Sequence, residues 1–446
     1  MSALATMLSG IEGEEGTMLL VDVLEEHLDE AAFRWQQWER TLEAPDFTLE
    51  ETATREERLL AHLEGLEDTS ALDAVLLPAF DSEEAPRVSA ATHALLALGE
   101  VDEVLVRLRG AEAPARAAIL RAFEVSEAPG LAPRLLELLK LEDTTLQAGV
   151  LEALAFRQEA PMEVLTRFFT HDEPRARVAA LRGALPLPEE VARRHLPALL
   201  DSAHPGIRAA AMEAGLASGV RLAWEACRQA VQAPGAHAPE AMVLLALGGD
   251  EAETSTLVDL LESAELRAYA LWALGFSGRV AAMEACVRYL AVPEVARLAG
   301  EAFSAMTGLR LEGACALPPG ERPEGAPEPP DEQESLDADL VPRPEDDLPW
   351  PDVAAVEGWW GQNHARFEKG TRYLLGQPIS GPALVEALAS SPMRRRHVLA
   401  RELALRTRGQ HRIPTRAFTH RQRDALARVR ATAARVRTTP LTSTLR

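Results

Sequence analysis

His27 and His62 are the side chains whose types and placement come nearest to chemistry. Helical spacing puts them on adjacent predicted helices, near Glu26, Glu57 and Glu64. Two imidazoles among carboxylates can hold a metal ion or relay a proton. The same residues serve equally well as helix-packing or surface histidines linked to carboxylates, and packing is the reading preferred here. Other chemistry finds little support. Cys227, Cys286 and Cys315 are odd in number, widely spaced and without a CxxC pair, which fits reduced, buried thiols rather than a metal site or nucleophile. No Gly-x4-Gly-Lys-Ser/Thr loop occurs, and Gly275-Phe276-Ser277-Gly278 has the wrong spacing for a nucleophile elbow, so it reads as a helix-ending turn. No catalytic residue, cofactor or metal is expected, and the chain reads as no enzyme.

Binding residues are easier to nominate. Trp35, Trp38, Trp359 and Trp360 are candidate protein-interface side chains, because tryptophan often anchors binding surfaces. Core packing of the end helices is the competing role for all four. The triplet Arg394-Arg395-Arg396 is a further interface candidate. Arg87, Arg175, Arg208 and Arg267 each follow a turn, and in stacked repeats such arginines pair with the acidic turn of a neighbouring unit.

The elements that must position these residues follow from a repeat. Between about Arg87 and Met306, turns recur roughly every thirty residues, each leading into an alanine- and leucine-rich helix. Clear copies begin at Ala85-Pro86-Arg87-Val88, Glu173-Pro174-Arg175 and His204-Pro205-Gly206; looser ones begin at Pro114, Thr144, Pro239, Glu265 and Pro293. Proline suits a first helical turn because its missing amide hydrogen has no partner there. Small residues such as Ala90, Ala91 and Ala94 let helices approach closely. The expected fold is all-α: a HEAT-like α-solenoid of about eight helical repeats with helical N- and C-terminal extensions. Metalloenzymes of helical repeats that hydroxylate a protein side chain carry His-Glu pairs across their repeats, and this chain has no His-Glu dipeptide. Helical-repeat bilin lyases have similar units, but stacking alone demands that likeness.

Four regions are expected: an N-terminal helical hairpin over 1–70, the repeats over 71–317, an acidic proline-rich linker over 318–352 and a basic helical region over 353–446. The linker holds ten prolines and twelve acidic residues, so it should stay extended. The last helix is expected over about 421–437, with residues after Thr438 frayed. The net charge of −23 conceals a division, since residues 353–446 carry 18 Lys and Arg against 5 Asp and Glu. That excess makes the remainder strongly acidic, which argues against a solenoid that binds nucleic acid. The basic region can bind an acidic protein, nucleic acid or the acidic body itself. No apolar run approaches the roughly 18 residues of a membrane span and no basic leader is apparent, so a cytoplasmic protein without a membrane span is expected.

Several stretches carry a resemblance. Val23-Leu24-Glu25-Glu26-His27-Leu28-Asp29-Glu30-Ala31-Ala32-Phe33, Ala44-Pro45-Asp46-Phe47-Thr48-Leu49 and Glu57 to Leu66 resemble the opening of an uncharacterised bacterial family of HEAT-like helical-repeat proteins. Ala302-Phe303-Ser304-Ala305-Met306-Thr307-Gly308 and the region from Trp359-Trp360 to Gly376 are similar to that family too. Its members are often encoded beside type VI secretion spike genes. The resemblance implies an accessory or adaptor role, with a secretion spike, an effector or its cargo as partner, and supplies no catalytic residues. A non-enzymatic protein-binding scaffold is therefore the leading expectation. The alternatives are nucleic-acid binding through residues 394–437 and a metal-dependent enzyme using His27 and His62.

Overall fold

The computed structural model describes residues 14–326 and 344–446, with side chains from residue 20 onward. The architecture is all-α. Two long helices come first, α1 (Glu14–Glu43) and α2 (Leu49–Gly65). The repeats follow as pairs: α3 (Ala85–Ala97) with α4 (Val101–Gly110), α5 (Ala113–Val125) with α6 (Leu131–Leu138), α7 (Thr144–Arg157) with α8 (Met162–Arg167), and α9 (Pro174–Gly183) with α10 (Glu189–Leu200). Then come α11 (Pro205–Ala217) with α12 (Arg221–Gln232), α13 (Ala238–Gly248) with α14 (Glu251–Asp259), α15 (Arg267–Leu274) with α16 (Val280–Tyr289), and α17 (Ala296–Thr307).

The turn residues set these boundaries. Pro86, Pro114, Pro205 and Pro239 sit in the first turns of α3, α5, α11 and α13. Where α7 lacks a proline, the Asp143 carboxylate accepts from the Leu146 amide at 2.8 Å. A reciprocal capping box between Asp250 and Glu253 starts α14. Small residues then permit close stacking of one opening helix on the next. At Gly149 in α7, an added Cβ would lie 2.3 Å from Leu120 Cδ1 of α5, so the leucine side chain occupies the space that the glycine leaves.

The chain forms two compact units. The first comprises the described residues up to Leu42, then Glu50–Gly183 and Arg416–Gln422. In it α3, α5, α7 and α9 stack in succession. The second comprises Glu43–Leu49, the described part of Ala184–Thr415, and Arg423–Arg446. Here α11, α13, α15 and α17 stack. Its core continues without a break into the C-terminal elements α18 (Val353–Asn363), α19 (Gly381–Ser390), α20 (Met393–Arg406) and α21 (Thr419–Arg430), through Val356, Leu384, Leu399, Leu403 and Leu426.

These units differ from the divisions drawn on sequence. The N-terminal hairpin and the first repeats belong to one unit, and residues 353–446 share a core with the later repeats instead of standing apart. The central linker residues, 327–343, lie outside the described residues. Its flanks are fastened rather than extended: the Leu317 amide donates to Trp350 O at 2.8 Å, the Asp352 amide to Cys315 O at 3.0 Å, and Leu348 is buried.

Two further expectations need correction. The last helix ends at Arg430, and the residues after Thr438 are anchored rather than frayed. Leu441 and Leu445 are buried, and Arg446 exchanges backbone hydrogen bonds with Gly219 O and the Arg221 amide. A short hairpin, β1 (Tyr373–Leu374) and β2 (Gln377–Pro378), also escaped the sequence reading. Tyr373 pairs with Pro378 and Leu374 with Gln377 around Leu375 and Gly376, which both have positive φ. Among the described residues, no helix is long and apolar enough to cross a membrane.

Candidate binding surfaces

In the first unit the segment Arg416–Gln422 lies among α1, α2, α3 and α5. Phe418 stacks against Trp38 with ring centroids 4.8 Å apart and meets Trp35 and His93 edge-on at 6.2 and 5.6 Å. Trp35 is 2% exposed and Trp38 fully buried, so neither anchors a partner. That corrects their nomination as interface residues: helical spacing turns both indoles toward the unit's own core. Each side chain of this size, once buried, stabilises the fold by about 1.5–3 kcal/mol.

Polar groups fix the same segment. Glu56 accepts from the Thr419 amide (2.7 Å), Thr419 Oγ1 (2.8 Å) and Trp38 Nε1 (3.0 Å). Burial nevertheless lifts its carboxyl above the ordinary value, outweighing those donors. Arg121 donates to Glu39 at 2.6 Å, to Glu124 at 2.7 Å and to Arg416 O at 2.6 Å.

His27 and His62 do meet, Nδ1 to Nδ1 at 3.2 Å, with the rings tilted by 59°. At that separation the two nitrogens can share one proton. Burial first and the neighbouring His27 second hold His62 below the ordinary imidazole value. Among the described residues, no three His, Cys, Asp or Glu side chains gather as metal ligands. Contrary to expectation, the post-turn arginines do not meet the acidic turn of a neighbouring unit: Arg87 pairs with Asp29 inside α1, and Arg175 with Glu152 inside α7 at 2.7 Å. Arg267 donates instead to Leu261 O at 2.8 Å.

In the second unit the arginine triplet opens α20, whose first amides are taken by carbonyls of the loop between α1 and α2. The Met393 amide donates to Phe47 O at 2.7 Å and that of Arg394 to Ala44 O at 3.2 Å. Arg394 lies 3.6 Å from both Glu301 and Glu345, with its guanidinium 4.5 Å from the Trp272 ring centroid. Arg395 is buried over Phe276 at 4.0 Å, donates to Gly275 O at 2.8 Å and faces Glu301. Arg396 is fully buried and donates to Leu388 O. Burial pushes the guanidinia of Arg395 and Arg396 down to about 10, so both remain charged at neutral pH. The triplet is internal structure, which corrects its nomination as a protein interface. A run of arginines reads as surface in sequence, and only the facing carboxylates and carbonyls, most of them distant in the chain, make its burial tolerable.

The strongest polar feature of this unit was missed in sequence. Arg372 grips both oxygens of Glu402, and Arg406 Nε donates to Glu402 at 2.6 Å. Arg372 also donates to Phe276 O at 2.6 Å and Ser277 O at 3.0 Å. Burial raises the Glu402 carboxyl, but Arg372 and Arg406 outweigh it and hold the group below the ordinary carboxylate value. The i,i+4 spacing of Glu402 and Arg406 was a local signal; Arg372 had none.

Trp359 and Trp360 fare differently. Both meet the buried Phe303 of α17 nearly perpendicularly, at 5.9 and 5.6 Å, and both stay half-buried. Within α18 the only buried residue is Val356. Gly358 and Gly361 of the same helix have open space where a Cβ would stand. Trp360 also lies against Phe367 and His364, at 5.6 and 6.2 Å, so both rings are seated on the core side and remain partly exposed on the other.

A solved structure of human deoxyhypusine hydroxylase in complex with glycerol is similar at 18% identity, covering 66% of this chain and 97% of that one, with a TM-score of 0.24. A likeness of that quality carries no argument about function. No family model matches the chain, and no curated protein matches it.

Proposed function

We propose that this chain is a non-enzymatic helical-repeat scaffold that docks a protein partner through α18. The observation that carries the reading is the pair Trp359 and Trp360, seated on Phe303 yet half accessible on a helix with one buried residue. Aromatic anchors held in place before binding lose little conformational freedom when a partner covers them. The resemblance in residues 23–66 supports a narrower setting: an accessory or adaptor of type VI secretion, acting in the cytoplasm on a spike, an effector or its cargo. Burial of Arg395 and Arg396 leaves a nucleic-acid interface over 394–437 without its densest basic run.

Affinity capture from the native cell, read by mass spectrometry, tests both levels. A specific partner should be retained by the wild type and fall by about tenfold or more with Trp359→Ala/Trp360→Ala, the loss expected of paired hot-spot residues. The circular dichroism spectrum should not change. Equal recovery by the variant would refute docking through α18. Recovery of a partner unrelated to secretion would remove the type VI setting alone.

A further inference from the structure

Buried arginines of the second unit's core meet carboxylates directly. Arg372 and Arg406 share Glu402, Arg394 and Arg395 face Glu301, and Arg401 lies between Glu213 at 3.0 Å and Glu240 at 2.8 Å. Four arginines without such a pairing gather at one place. Arg408, Arg435, Arg437 and Arg446 converge on a cleft of about 700 Å³, and no Asp or Glu lines it. None of the four meets a carboxylate side chain among the described residues.

The cleft is built rather than incidental. Its floor is Arg406, which donates to Arg437 O at 3.1 Å and Thr439 O at 2.9 Å and so fixes the backbone that carries Arg437. Arg408 has a φ of +51° and donates to Thr444 O at 3.0 Å. Its guanidinium rests on Gly219, whose φ of +77° favours glycine. Arg446 is tied through its backbone to Gly219 O at 2.8 Å. Rotatable hydroxyls add to the wall, with Thr432 Oγ1 3.1 Å from His411 Nε2 and Thr439 Oγ1 3.3 Å from Ser443 Oγ.

We propose that this cleft binds a small oligophosphate, a ligand bearing two or more linked phosphates. Guanidinium forks match phosphate oxygens in pairs, and hydroxyls complete the coordination of the remaining ones. Four cations held together without counter-charge repel one another, and one multiply charged anion relieves that repulsion. The volume is in the range of about 300–1,000 Å³ typical of small-molecule sites. A long polyanion is disfavoured by the net charge of −23, which it would meet beyond the cleft. A small ligand lies wholly within the local positive field, since screening removes distant charges beyond about 8 Å. The oligophosphate can be an inorganic chain or can end in a nucleoside resting on Leu216, Val436 and Leu441, which also line the cleft.

Isothermal titration of the full chain at low salt tests this with inorganic tripolyphosphate, a nucleoside triphosphate and citrate. Tripolyphosphate should bind at one site, with citrate about tenfold weaker or worse, because citrate brings less negative charge and fewer acceptor oxygens to the four guanidinia. Tighter binding of the nucleoside triphosphate assigns the apolar wall to the ligand; equal binding assigns recognition to the phosphates alone. Arg435→Glu/Arg437→Glu should abolish binding of both, and since both side chains are exposed the melting temperature should hold. Arg435→Gln/Arg437→Gln replaces it if charge reversal disturbs folding. The Trp359→Ala/Trp360→Ala variant should bind like the wild type, which separates this site from partner docking. Absence of tripolyphosphate binding, equal binding of citrate, or full binding by a folded arginine variant would each overturn the proposal.

Discussion

His93 makes the first unit acid-sensitive in a way that can be isolated. Its ring lies against Trp35 and Phe418, and its Nδ1 is sealed from solvent with no hydrogen-bond partner. Burial pushes the imidazole down to about 4, with Glu127 offsetting only part of the effect. The folded value lies below the ordinary 6.5, so the unfolded chain takes up the proton first as the pH falls. Stability from neutral His93 is fully present above pH 6.5 and is lost progressively down to pH 4. Linkage puts that loss at about 2 kcal/mol by pH 5 and about 3 kcal/mol in total. Glu56 and Glu124, both raised by burial, run the other way over part of this range. His93→Phe keeps a ring in the aromatic cluster and removes the proton, so the difference between wild type and variant cancels the carboxylates. Urea unfolding followed by circular dichroism at pH 7.5 and at pH 5 should show the variant gaining about 2 kcal/mol relative to the wild type on acidification. A difference independent of pH would refute the reasoning.

Two other perturbations probe the second unit. Glu402→Gln leaves Arg372 and Arg406 buried without a counter-charge, and should cost about 3–5 kcal/mol in denaturant unfolding. In the wild type, the Glu402 contribution should be present above the ordinary carboxylate value of 4.5 and decline as the pH falls through the lower folded value. Gly278 has a φ of +64°, and an added Cβ would stand 2.1 Å from Tyr373 O, so Gly278→Ala should dislodge the hairpin. A loss of about 2 kcal/mol or more is expected in thermal unfolding. Gly99→Ala, with φ +89° and open space around it, should cost about 1 kcal/mol.

Local chemistry made the repeats legible. Proline in the first turn, alanines at helical spacing and a period near thirty residues all act within one repeat, and the opening helices begin at or next to the expected turns. The same locality hid the arrangement of the ends. Nothing near Phe418 in sequence announces that it would stack on Trp38, and nothing near Phe47 announces that its carbonyl would take the Met393 amide. The tryptophans illustrate the limit most directly. All four share a residue type and a helical setting, yet two are sealed by Phe418 and its neighbours while two stay half open over Phe303.

What the amino-acid sequence determined by itself is the all-α repeat, because helix starts, stops and small-residue spacing depend on neighbours a few positions away. It also determined that acidic and basic segments would be available to each other. Only the tertiary structure decided which arginines would be used up. Arg395 and Arg372 are internal because carboxylates and carbonyls from distant segments meet them in a low-dielectric interior. Arg408, Arg435, Arg437 and Arg446 are left at a cleft without acids. Charge in a sequence is a sum, whereas binding depends on the charge that remains after folding has paired the rest.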